Sequence, residues 1–295
     1  MKLEDPHFMH TKSWIFMRIL LNRFHSTSKK EFLSLMPSEE AQEIINQRIE
    51  STEIDPVFVN PSTFLNHIHF SWIAPYVQKY PLHIQELLVT SLPQPLSNGL
   101  KKFLKLPSSL PSIPSVAGEF LIKKLYMQVR DPDVLAAGFL PLDELSGLLE
   151  LSRTELIQMI DYLGLYDLAD TVRHLVDKKS LQAVYACMDQ KKMQFLRTCL
   201  HQKSKFTTTK MDLQKWNSDC HVLHKMLHQR GLYRLGKALT GSHPHFLWHF
   251  FRKLDTGRGS ILKKYSSSEV NPAARTALIQ QTISVLNFLK TKSEA

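Results

Sequence analysis

Cys220, His224 and His228 stand at i, i+4 and i+8 and so share one face of a helix. Cysteine and histidine are zinc ligands, and an i, i+4 His pair is a recognised arrangement. The triplet spans two turns, about 12 Å of rise, so Cys220 and His228 cannot meet on one ion while the helix stays regular. A metal at His224 and His228 would need further ligands, with His243 or His245 as candidates. The plainer reading is a solvated or capping face, because Asn217, Ser218 and Asp219 just ahead are good helix caps. That reading is taken here, with no metal and no cofactor expected.

Other chemistry finds less support. No Gly-x-Ser-x-Gly elbow occurs. An enzyme would need a pocket in which His224, His228 or Cys199 converges with a carboxylate. The loop Leu254-Asp255-Thr256-Gly257-Arg258-Gly259-Ser260 is rich in glycine but lacks the Gly-Lys-Ser/Thr ending of a phosphate loop, and it follows a helical pattern rather than a strand. The expectation is that Gly257 ends the preceding helix in a left-handed conformation, with Asp255 and Arg258 fixing the loop or a partner. The three cysteines (Cys187, Cys199 and Cys220) form no spaced framework, which predicts free thiols in a reducing compartment.

Charge is distributed unevenly. From Asp131 to Asp177 ten acids face only Arg153 and Arg173. From His221 to Tyr265 nine bases face Asp255 alone. Such modules suit docking on each other or contact with neighbouring subunits. The candidate partner-binding residues are Arg230, Arg234, Lys237, Arg252 and Arg258 on the basic side, and Asp161, Asp167 and Asp170 on the acidic side. A nucleic-acid interface is the alternative for 221–265, since Tyr233, Trp248 and Tyr265 interleave with the bases and could stack. Against it, Phe246, Phe250 and Phe251 sit at core spacing, which makes the bases the solvent face.

The elements that must position these residues read as helices throughout. Ser152 and Glu155 form a capping box ahead of Leu156, Ile157 and Ile160. Gly164 is expected to part that helix from a second one carrying Leu165, Leu168, Val172, Leu175 and Val176. Phe246 to Leu254 makes another apolar face, and Leu278 to Leu289 a last one, opened by Asn271 and Pro272. Alternating patterns are nearly absent, Val57–Val59 being the best. Only 10 of 295 residues are glycine, which disfavours glycine-dependent sheet folds. The apolar stretch around Trp14–Leu21 carries Arg18 and is too short for a membrane span. It suits a helix packed in its own domain, or less readily one resting on an anionic membrane surface.

The fold class expected is all-α, with stacked short helices of an armadillo-like kind. Pro107, Pro111 and Pro114 among serines make 105–118 a connector between helical regions 1–104 and 119–295. A loose repetition marks helix starts near Pro37, Pro93 and Asp189.

Two stretches carry a resemblance. His228 to Leu239, and Trp248 through Leu254-Asp255-Thr256-Gly257-Arg258-Gly259, resemble a chlamydial protein of type III secretion, of the SctK family of cytoplasmic sorting-platform accessory proteins. The helix-start phrases also resemble those of the motor-switch protein FliG. The resemblance implies a non-enzymatic adaptor in the cytoplasm, at the cytoplasmic face of the inner membrane, with other secretion-apparatus proteins as partners. It carries over no site residue position by position.

Overall fold

The computed structural model describes residues 7–25, 27–46, 60–141, 143–201, 211, 213 and 216–290. Among these the chain is all-α, with fifteen α-helices, two short 3-10 helices and no strand. Val57–Val59 lies outside the described residues. The chain forms two compact units, Met1–Leu142 and Asp143–Ala295.

In the first unit proline stands at the start of several short helices. Three open it: α1 (His7–Phe24), α2 (Lys29–Ser34) and α3 (Ser38–Asn46). Trp14, Leu21 and Ile44 bury a small core there with Met17, Leu33 and Met36 against it. Arg18 donates to the Ile45 carbonyl. The Trp14–Leu21 stretch is therefore a helix packed in its own unit. Then come α4 (Pro61–His67), α5 (Phe70–Val77), α6 (Leu82–Ser91) and α7 (Gln94–Leu104). Pro61 is at the first turn of α4, and Pro81 and Pro93 directly precede α6 and α7, positions where a missing N–H costs nothing.

The Pro/Ser-rich coil is present but is not a domain boundary. It leads into α8 (Ser115–Val129), whose buried Gly118, Ile122, Leu125 and Val129 pack back on α4, α5 and α6. The boundary falls at 142/143 instead. Proline breaks a helix, but it does not stop the next helix from joining the same core.

The second unit is built around α9 (Arg153–Val172), buried on every side from Tyr162 to Ala169. Its capping box forms as expected: Ser152 Oγ accepts from the Glu155 N–H, and the Glu155 carboxylate accepts from the Ser152 N–H at 2.7 Å. Around it lie α10 (Lys178–Ala186), α11 (Gln190–His201), α12 (Cys220–Ala238), α13 (Pro244–Lys253), α14 (Thr256–Ser266) and α15 (Pro272–Lys290). Asn271 caps α15, accepting from the Ala273 N–H at 2.9 Å.

Two glycine expectations are corrected. Gly164 parts nothing: one helix runs from Arg153 to Val172, and Val176 is exposed beyond its end. A Cβ on Gly164 would lie 2.1 Å from the Leu227 carbonyl oxygen, and one on Gly231 1.7 Å from that of Ile160. The backbones of α9 and α12 touch at this crossing, and only glycine leaves the room. Gly257 does not end a helix in a left-handed conformation. It lies in the first turn of α14, which Asp255 caps.

Candidate functional site

The residues singled out for chemistry line α12. Asp219 caps this helix, accepting from the His221 N–H at 2.8 Å. One turn in, His224 Nε2 lies 3.0 Å from the Cys187 carbonyl oxygen. A turn further, His228 Nδ1 lies 2.7 Å from Asp161 Oδ1 on α9. On its other side, Arg258 of α14 donates Nε–H to His228 Nε2 at 2.8 Å. A guanidinium can only donate, so Nε2 is the acceptor and Nδ1 carries the proton given to Asp161. Both ring nitrogens of His228 are thus engaged in a neutral imidazole. No lone pair is left for a metal or for accepting a substrate proton while Arg258 stays in place. Arg258 also pairs with Asp255, and Asp255 accepts the Arg258 backbone N–H. The stretch expected as a loop is instead the start of α14, and Asp255 and Arg258 fix that helix end.

The next pair is buried outright. Arg234 is completely inaccessible and Asp167 is 2% exposed. Arg234 donates Nε–H to Asp167 Oδ1 at 3.1 Å, with a second, shorter bond from its terminal amino group, and another terminal N–H reaches Gln281 Oε1 at 2.6 Å. The guanidinium lies over the Tyr166 ring, and Asp170 Oδ2 stands 4.0 Å away. Asp170 also binds Arg173, whose guanidinium holds the Cys199 and Leu200 carbonyls at the end of α11. Lys237, buried too, donates to Ser268 Oγ and to the Ser268 and Glu269 carbonyls.

These positions correct the expected docking surface. Arg234, Lys237 and Asp167 are buried, and Asp161, Asp170 and Arg258 are taken up in pairs within the second unit. Asp161 with His228, and Asp167 and Asp170 with Arg234, dock part of the acidic stretch on the basic one within the second unit. Burial of a long cation is tolerated because every one of these ends meets a carboxylate or carbonyl. Lys253 is a further case: its ammonium bonds the Leu149 and Leu151 carbonyls, and burial lowers its pKa from the ordinary lysine value. The helical spacing of Phe246, Phe250 and Phe251 instead predicts a solvent-facing Lys253. Arg230 remains half-buried, and Lys225, Lys263 and Lys264 are exposed.

The aromatics are turned to their own surroundings as well. Arg252 stacks over Trp248, 3.8 Å from the ring centre, and Tyr233 meets Tyr265 edge-on at 5.2 Å. The interleaving that suggested base stacking places Arg252 on Trp248 and the two tyrosines on each other.

The cysteines depart from the expected free thiols. Cys187 and Cys220 form a disulfide, with Cα atoms 5.1 Å apart. Spacing alone could not show it, since 33 residues separate them. Cys199 stays free and buried, and burial pushes its thiol up to about 12. A thiol held so far from ionisation is a poor nucleophile. With Cys220 bonded and His228 saturated, the proposed ligand triplet is dispersed. His243 caps α13, accepting from the His245 N–H. Among the described residues no three His, Cys, Asp or Glu side chains are grouped to hold a metal ion. No helix among them is long and apolar enough to cross a membrane.

By its fold the chain is an all-α protein of two units, the second held by a charged helix crossing. Compared with protein-family models, curated proteins and solved structures, it matches none.

Proposed function

We propose that this chain is a non-enzymatic helical adaptor that binds another protein through the outward face of α8. One observation carries the reading. Val116 (78% exposed), Phe120 and Met127 stand in a row along that helix while its other face is buried in the first unit. Large apolar side chains in a row at the surface favour an interaction site over scattered exposure. Lys123 and Lys124 sit among them, the latter with its ammonium 5.6 Å from the Phe120 ring centre. The engaged state of His228, Asp161 and Arg258 supports the non-enzymatic half of the proposal, because the groups best suited to proton transfer bind each other. The bases of 221–265 are spread between core, helix caps and surface, which favours an adaptor over a nucleic-acid groove.

The setting comes from the sequence resemblance alone. It makes the partners components of a type III secretion platform and the location the cytoplasm, at the cytoplasmic face of the inner membrane. A photo-crosslinking residue in place of Phe120, expressed in the native cell, tests both parts. The expected result is a discrete protein adduct that a crosslinker at the exposed Lys178 does not give, and its mass spectrum names the partner. Adducts to RNA or DNA, or equal labelling from both positions, would overturn the docking face. A single protein adduct unrelated to secretion would remove only the setting.

A further inference from the structure

We infer that the Cys187–Cys220 disulfide is a redox latch that holds α10 against the second unit and releases it on reduction, independently of the docking face proposed above. The three cysteines divide sharply. Cys199 is buried with its thiol pushed up, so it neither attacks nor resolves a neighbouring bond. Cys187 is 8% exposed, whereas Cys220, at the first position of α12, is exposed. The bond is therefore open to solvent from the Cys220 side, and thiol–disulfide exchange requires access to only one of the two sulfurs.

What the bond holds is the least embedded helix of the unit. Among the described residues α10 buries one side chain of its own, Val184, and Cys187 follows directly as its C-terminal cap. His224 touches the Cys187 carbonyl, one hydrogen bond between α10's end and α12. By contrast α11 is anchored twice. Phe195 packs among Tyr162, Tyr166 and Phe288, and Arg173 ties down its last carbonyls. The α9–α12 crossing has its glycine contact and its buried ion pair. Losing the disulfide thus removes a main tie of α10 and leaves the other ties of the unit in place.

The reductant is a small cellular thiol of the glutathione class. Its thiolate attacks Cys220 Sγ, forming a mixed disulfide and expelling the Cys187 thiolate, which takes up a proton. A second thiol then displaces Cys220 from the reductant sulfur. The products are two cysteine thiols and one reductant disulfide, with two electrons passed to the protein. The reverse exchange closes the latch.

The test is hydrogen exchange by mass spectrometry on the full chain, equilibrated in oxidised or reduced glutathione, with iodoacetamide alkylation to count thiols. The expected oxidised chain shows the 187–220 bond and no labelling of Cys199. On reduction, two cysteines label, and amides from Leu181 to Cys187 exchange roughly 30-fold faster or more, the lower end of what a disulfide usually contributes. Amides of α9 keep their protection. The Cys187→Ser/Cys220→Ser variant should show the fast pattern in both buffers. Equal exchange of α10 in both states would overturn the latch, and so would an oxidised chain without the bond. A loss of α9 protection matching that of α10 would overturn it too, by making the disulfide a general staple of the unit.

Discussion

Arg234→Met should unfold the second unit far more readily, although arginine is ordinarily a surface residue. The substitution keeps an unbranched apolar stem and removes the guanidinium that bonds Asp167 and Gln281. Asp167, 2% exposed, is then left as a buried carboxylate without its cation. Breaking a buried pair from one side costs about 3–5 kcal/mol, a large part of the stability of a unit this size. With a urea slope of about 2 kcal/mol per molar, the unfolding midpoint should fall by about 2 M. The assay is urea unfolding followed by circular dichroism, with Lys263→Met/Lys264→Met as the surface control, expected to shift the midpoint little because exposed charges contribute about 0–1 kcal/mol. Adding Asp167→Leu to Arg234→Met should restore most of the loss, because an apolar pair avoids the desolvation of both charges. The reasoning fails if Arg234→Met and the lysine control behave alike, or if the double variant is no better than the single one. Charge reversal at Arg234 would weaken partner binding too, but through collapse of the fold, so it cannot report on docking.

Four further outcomes follow from the same structure. Gly231→Ala should cost about 1–3 kcal/mol or more, because its Cβ would sit against the Ile160 carbonyl, whereas Gly257→Ala, facing only the Asp255 side chain near the start of a helix, should be neutral or mildly stabilising; comparing the two melting curves checks this. Ser152→Ala should remove about 1 kcal/mol through the lost cap of α9. Glu155, the other half of that box, has its pKa lowered by its hydrogen bonds with Ser152, so its contribution is present above the unfolded glutamate value and lost as pH falls through the lower folded one. The gap between the wild type and Glu155→Gln in urea should therefore close towards acid, and a gap that widens would contradict the assignment. Finally, nitrogen-15 correlation spectra should show His228 as the Nδ1–H tautomer; an Nε2–H signal would mean that Arg258 does not donate to it.

The helical class and the helix starts were readable because they depend on short-range chemistry. Ser152 and Glu155, Asn271 and Pro272, and the proline that precedes α7 act within one turn of themselves. Asp189 does the same, accepting from the Lys192 N–H at the start of α11. What could not be read depends on which helix arrives opposite. Gly164 looked like a break because glycine is a poor helix former, and only the closeness of Leu227 gives it a packing role inside one. A signal existed, since Gly164 and Gly231 both sit inside strongly periodic stretches, where glycine usually has a packing reason. The segregation of charge was visible, but composition does not say whether a carboxylate faces water or an arginine across a crossing. The disulfide joins residues whose proximity is set by where α10 and α12 lie, which no local pattern encodes.

The glycines and the ion pairs of the second unit solve one problem together. Bringing α9 and α12 into backbone contact shortens the distance between their axes, and it also removes the interdigitating side chains that normally fix how two helices are registered. Glycine surfaces are smooth, so the crossing could slide. On this pair, Asp161 and Asp167 lie six residues apart on α9, and their partners His228 and Arg234 lie six apart on α12. Two matched polar ties set off from the glycine contact define one register, because a slip would part His228 from Asp161 and Arg234 from Asp167 together. Buried ion pairs often add little net stability but can make alternatives costly. On that argument the acidic and basic stretches serve as the register of an internal crossing, and the apolar double variant Arg234→Met/Asp167→Leu should recover most of the wild-type stability yet be less uniquely packed, seen as broadened amide resonances along α12.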